Sequence, residues 1–145
     1  MNVYDQVPGG AELLEWFGCM PTFHDAEILS LHLNRDGPSI LRLYTWIVFG
    51  SVDSHGYLKL EKHAVVAFLL DGLIDLQLEG ISDQNVIGGL ILRRASDRPE
   101  RRNFLGGDPH PDDIEIELLP CYGLDGFIRA RKVTVMFTPG RPNQF

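Results

Sequence analysis

Ala64 Val65 Val66 Ala67 Phe68 Leu69 Leu70 Asp71 Gly72 Leu73 Ile74 Asp75 Leu76 Gln77 Leu78 Glu79 sets the chain's most continuous apolar run directly before a clean two-residue alternation. The run is rich in Val and Phe and is closed by Asp-Gly, which favours a buried strand over a helix segment. In the second half Ile74, Leu76 and Leu78 oppose Asp75, Gln77 and Glu79, the pattern of a half-buried strand. Asp71 Gly72 between them has the chemistry of a hairpin turn.

The same period of two extends outward in both directions. Upstream, Leu29, Leu31 and Leu33 alternate with Ser30, His32 and Asn34, and Arg35 Asp36 Gly37 Pro38 supplies a turn. Ile40 to Phe49 is apolar on both sides, with Leu41, Leu43, Ile47 and Phe49 against Tyr44, Trp46 and Val48, as expected of an interior strand. Downstream, Val86 to Arg94 is a short strand interrupted by Gly88 and Gly89, which mark a bulge or a close backbone approach. Ile114 to Leu118 and Phe127 to Thr138 form a closing hairpin around Pro120 to Gly126. Only residues 11–17 read as helix, with Leu13, Leu14, Trp16 and Phe17 on one side, Glu12 and Glu15 on the other, and Gly18 and Pro21 to end it. The expected fold is mainly β: an antiparallel β-sandwich or strongly curled sheet of about seven to eight strands with one short N-terminal helix, forming a single domain over residues 1–145.

Composition bounds the function. An apolar share of 44% and an aromatic share of 10% in 145 residues are enough for a self-sufficient core. The net charge of −7 is uneven: residues 1–92 carry 12 acids against 4 bases, residues 93–102 carry 2 against 5, and the rest 6 against 4. An acidic body disfavours a nucleic-acid partner and favours a basic protein. No stretch approaches the apolar length of a membrane span and no basic-then-apolar leader opens the chain, so a cytosolic location is expected, with Cys19 and Cys121 reduced.

Phe23 His24 Asp25 Ala26 Glu27 Ile28 crowds three ionisable side chains at the entrance of a strand. In extended backbone Asp25 and Glu27 share a face and His24 lies opposite, so a three-ligand metal site fails on geometry unless the chain bends. The structural alternative has Asp25 accepting backbone N–H bonds and His24 donating to a carbonyl. Asp108 Pro109 His110 Pro111 Asp112 Asp113 also resembles a ligand set, but its prolines suit a stiff turn better than a metal loop. Residues 95–112 have no period. Within or beside them lie Arg93, Arg94, Arg98, Arg101 and Arg102, suited to bidentate carboxylate or phosphate contacts and equally to a solvated charged loop. None of the common catalytic signatures is present. Three classes remain open: a protein-binding inhibitor, a metal-dependent hydrolase using Asp25 and Glu27 with His24 or His110, and a ligand-binding β module using Tyr44, Trp46 and Tyr122.

The stretch Trp16 Phe17 Gly18 Cys19 Met20 Pro21 Thr22 Phe23 His24 Asp25 Ala26 Glu27 Ile28 resembles the N-terminal signature of the immunity protein 50 family of bacterial polymorphic toxin systems. Ile74 to Gly80 with Gln84 Asn85 Val86 Ile87 looks like a second block of that family, and Tyr122 Gly123 with Lys132 Val133 Thr134 Val135 like a third. The resemblance implies a cytosolic antidote that neutralises a cognate toxin by stoichiometric binding, without catalysis, cofactor or metal. Trp16, Phe23, His24, Asp25 and Glu27 would then brace the architecture, while Arg98, Arg101, Arg102 and Phe104 would contact the partner.

Overall fold

The structure is a computed structural model, and it describes residues 2–52, 54–98 and 110–142. Helix α1 (Gly10–Phe17) is followed by six antiparallel strands: β1 (Glu27–His32), β2 (Ser39–Val52), β3 (Leu58–Glu79), β4 (Val86–Arg94), β5 (Ile114–Tyr122) and β6 (Asp125–Pro139). They close into a barrel in the order β1-β2-β3-β6-β5-β4. The mainly-β class with one short helix is as the sequence predicts. The sheet curls completely instead of splitting into a sandwich, and the strands number six.

The count differs because Asp71 Gly72 is not a hairpin turn. β3 runs unbroken through it for 22 residues. Gly72 does take a left-handed φ of 64°, as an Asp-Gly turn would, but β6 continues alongside as a partner from Asp125 to Pro139. The left-handed residue is therefore absorbed within the ladder, where Leu70 pairs with Val133 and Leu73 with Ala130 in one register, and the register shifts only past it, between Leu73 and Asp75. A Cβ on Gly72 would come within 2.9 Å of Arg131 Cγ, so the glycine also makes room for that side chain.

Alternation then builds the core. Ala64, Val66, Phe68 and Leu70 of β3 face inward with Leu41 and Leu43 of β2, Ile116 and Leu118 of β5, and Ile128, Val133 and Val135 of β6, all essentially buried. Gly9 and Gly18, with φ of 82° and 76°, bracket α1, and Gly18 donates to the Leu14 carbonyl. The helix contributes Leu13 and Phe17 to the same core and is tied to β6 by the Val135 N–H donating to the Pro8 carbonyl.

No helix among the described residues is long and apolar enough to cross a membrane.

Candidate protein-binding face

The Phe23–Ile28 motif closes the barrel. Residues 22–28 run antiparallel to 85–90, joined by Leu90 N–H to Thr22 O, Asp25 N–H to Ile87 O, Ile87 N–H to Ala26 O and Ile28 N–H to Asn85 O, each 2.8–3.1 Å. Gly89 permits this approach, since a Cβ there would sit 3.2 Å from the Thr22 carbonyl oxygen. The glycines of β4 thus have the role their spacing predicts. Phe23 and Asp25 adopt left-handed backbone, with φ of 58° and 63°, which is unusual for an aromatic residue. The kinked path drives Phe23 into the core, edge-on to Phe68 with ring centroids 6.1 Å apart, and buries Ala26 completely.

The bend also decides the ionisable trio. His24 Nδ1 donates to the Gly88 carbonyl at 3.0 Å, as one reading of the sequence anticipates. Asp25 corrects that reading: its carboxylate is half exposed and lies 3.5 Å from His24 Nε2, with no backbone N–H donating to it among the described residues. Asp25 acts through its own backbone, because aspartate tolerates the left-handed region better than most residues. Glu27 is exposed on the outer sheet face. His110 lies in the turn before β5, its Nδ1 accepting from the Asp112 N–H, about 25 Å from the seam by the length of β4. Among the described residues no three His, Cys, Asp or Glu side chains converge on a metal-sized point.

Arg98 does not extend as a free recognition arm. It binds Glu117 through both carboxylate oxygens at 2.9 and 3.0 Å, beside Arg93, which bridges Glu115 at 3.0 Å and Glu117 at 2.8 Å. Glu115 is fully buried and lies in one cross-strand row with Arg93, Arg129 and Asp75. Arg129 closes that row on Asp75 with bonds of 2.7 and 2.5 Å. Burial alone would lower the Arg93 pKa, but its bonds to Glu117 and Glu115 outweigh that and raise it above the ordinary value. This half of the outer surface is therefore a self-neutralised ionic array. Arg101, Arg102 and Phe104, the other expected contact residues, lie outside the described residues.

The opposite half of the outer surface is chemically different. Cross-strand rows bring together Glu27, Tyr44, Val65 and Thr138, and next to them Ser30, Arg42, Ala67 and Met136. Tyr44 packs on Trp46 and His63 at ring-centroid distances of 5.2 and 5.8 Å, and its hydroxyl is 2.6 Å from His63 Nδ1. Trp16 adjoins this region, half-buried against Phe137 at 5.5 Å, with the Lys62 ammonium over its ring at 5.1 Å. Arg42 and Arg141 line a shallow groove of about 330 Å3 floored by Val65 and Ala67, and neither forms an ion pair with a described residue.

Tyr44 and Trp46 were visible as aromatics in the sequence. Nothing in the sequence groups Arg42, His63, Met136 and Arg141, because only the pairing of β2, β3 and β6 makes them neighbours. Tyr122 shares the row of Tyr44 but stands three strands away, past Val86 and Glu27, about 14 Å by strand spacing. The three aromatics of the expected ligand-binding module therefore do not form one platform.

Searches with this chain against protein-family models, curated proteins and solved structures found no match.

Proposed function

We propose that this chain is a cytosolic immunity-type protein that neutralises a bacterial toxin by stoichiometric binding, through the outer face of β1, β2, β3 and β6. The observation that carries the reading is the composition of that face. Half-buried Tyr44 and Trp46, flanked by Arg42, Arg141 and the exposed thioether of Met136, are the side-chain types that dominate binding energy at protein interfaces. Apart from Arg141, which follows the end of β6, they stand on strands, so little backbone ordering entropy is lost on association. Elsewhere on the described surface the cations beside Glu115 and Glu117 are already paired, whereas Arg42 and Arg141 remain available to a partner. The overall charge of −7 would draw in a basic toxin from a distance, and the aromatic face would fix it on contact. The family likeness of the Trp16–Ile28 motif supports the same class, its role here being closure of the barrel that presents the face.

Co-expression with a toxin encoded beside this gene tests the reading. The intact chain should protect cells, and Trp46→Ala and Arg42→Glu should each weaken the complex by about 30-fold or more, as loss of an interface anchor does. The proposal is overturned if no adjacent toxin gene exists, if cells die despite expression of the intact protein, or if both folded variants protect as well as the parent.

A further inference from the structure

The in-out alternation of β6 breaks opposite Gly72: Ala130 and Val133 are both buried, three residues apart, and Arg131 and Lys132 between them are both exposed. They open into a cleft of about 650 Å3, walled on one side by Gln6, Val7 and Pro8 and on the other by the end of β4 and the start of β5. Arg94, the last residue of β4, lines the same cleft.

Two of these three cations are held in place from behind. Arg131 Nη1 bonds at 2.7 Å to Asp113 Oδ2, and Asp113 is buried and also accepts the His110 N–H at 2.8 Å. Arg94 Nη2 donates to the side-chain carbonyl of Gln6, and its Nη1 stands 3.9 Å from Asp112. Each guanidinium has five donors, so these contacts orient the fork and leave N–H groups free to bind an anion. The acids nearby are Asp112 in the lining, Asp113 behind Arg131, and Asp71 opposite Lys132 on β3. The lining itself carries three cations and one carboxylate, giving +2, in a chain whose net charge is −7.

We infer that the cleft bounded by Arg94, Arg131 and Lys132 binds a small multivalent oxyanion, a phosphate or a polycarboxylate. Planar, pre-oriented guanidinium forks match such oxygens bidentately, and the adjacent ammonium adds a point charge. An apolar ligand would cover the Lys132 ammonium and the remaining guanidinium N–H groups without giving them new partners, which counts against that class. The site is separate from the aromatic face: it lies on Arg94 and the Arg131–Lys132 pair, whereas the face lies on Arg42, Tyr44 and Trp46.

The test is a titration of the isotopically labelled full chain, followed by NMR, with inorganic phosphate in one arm, citrate in a second and chloride at matched ionic strength as control. Saturable shifts at residues 94, 131 and 132 in the phosphate or citrate arm, and not with chloride, are expected, and the arm that responds identifies the source of the oxyanion. Lys132→Gln and Arg94→Gln should each weaken that binding by about tenfold, the loss for one charge-assisted contact, while melting as the parent does. Arg42→Gln, on the other face, should bind as the parent does. Shifts no larger than those with chloride, or affinities unchanged in both cleft variants, would overturn the inference.

Discussion

Tyr4→Phe should make this protein more stable, and increasingly so at alkaline pH. Tyr4 sits in the short 3-10 turn Val3–Gln6 with its side chain 4% exposed, and its enclosed hydroxyl has no hydrogen-bond partner among the described residues. A hydroxyl withdrawn from water without a partner costs ~1–3 kcal/mol in protein mutational measurements. Deleting the oxygen removes that cost and leaves an atom-sized gap, whose lost dispersion contacts amount to a few tenths of a kcal/mol. The expected gain is ~1 kcal/mol near neutral pH, or about 3 °C in Tm for a domain of this length. Burial also pushes the Tyr4 phenol well above its ordinary value of 10.0. The folded protein then keeps a proton that the unfolded chain releases above that value. The associated stability is complete below about pH 10 and falls as pH rises further, by up to ~1.4 kcal/mol per pH unit. Phenylalanine has no such dependence, and contributions from Tyr44, Tyr57 and Tyr122 are common to both proteins and cancel. Urea unfolding at about pH 7 and about pH 11 should show the advantage of Tyr4→Phe growing from ~1 to roughly 2–3 kcal/mol. A variant less stable than the parent at neutral pH, or an advantage that does not change with pH, would refute the reasoning.

Asp25→Gly should melt at or above the parent temperature, whereas Asp25→Ala should lose up to ~1 kcal/mol, since the site requires a left-handed backbone and no buried carboxylate contact. The opposite order in thermal melts would restore a side-chain role for Asp25. Arg129→Met should cost ~3–5 kcal/mol by stranding Asp75 without its partner, and Arg129→Met combined with Asp75→Leu should recover most of it. Chemical denaturation of both single variants and the double variant checks this, and additive losses would show that the pair is not coupled.

Much of the architecture was legible locally. The alternation in Leu73–Glu79 and Phe127–Thr138 assigned strands, because side chains on pleated backbone point to opposite faces. In the first strand, by contrast, a register shift between Ile28 and Ser30 sets Ile28 and Leu31 against the core and leaves Leu33, expected on the face of Leu31, exposed beyond the strand end. The helix was bounded correctly because Gly18 supplies a backbone shape that most residues resist. Asp71 Gly72 departs from the expected turn for an equally local reason: a left-handed residue is compatible with a turn and with a continuous strand, and the distinction depends on whether a partner strand continues past it. At Asp25 the sequence showed a carboxylate where a bend was needed, and only the fold could say that the backbone, not the carboxylate, does the work.

By itself, then, the sequence determined the strand periodicity, the helix and its ends, and an acidic chain with an arginine-rich segment, since these depend on neighbours within a few residues. Only the tertiary structure decided that the sheet closes into a barrel, that residues 22–28 form the seam against 85–90, and that Arg129 meets Asp75 from 54 positions away. It also gathered Arg42, Tyr44, Trp46 and Met136 on one face and Arg94, Arg131 and Lys132 around one cleft. Cross-strand neighbours are set by register, and register is fixed by packing of the whole core, which no short stretch of chain contains.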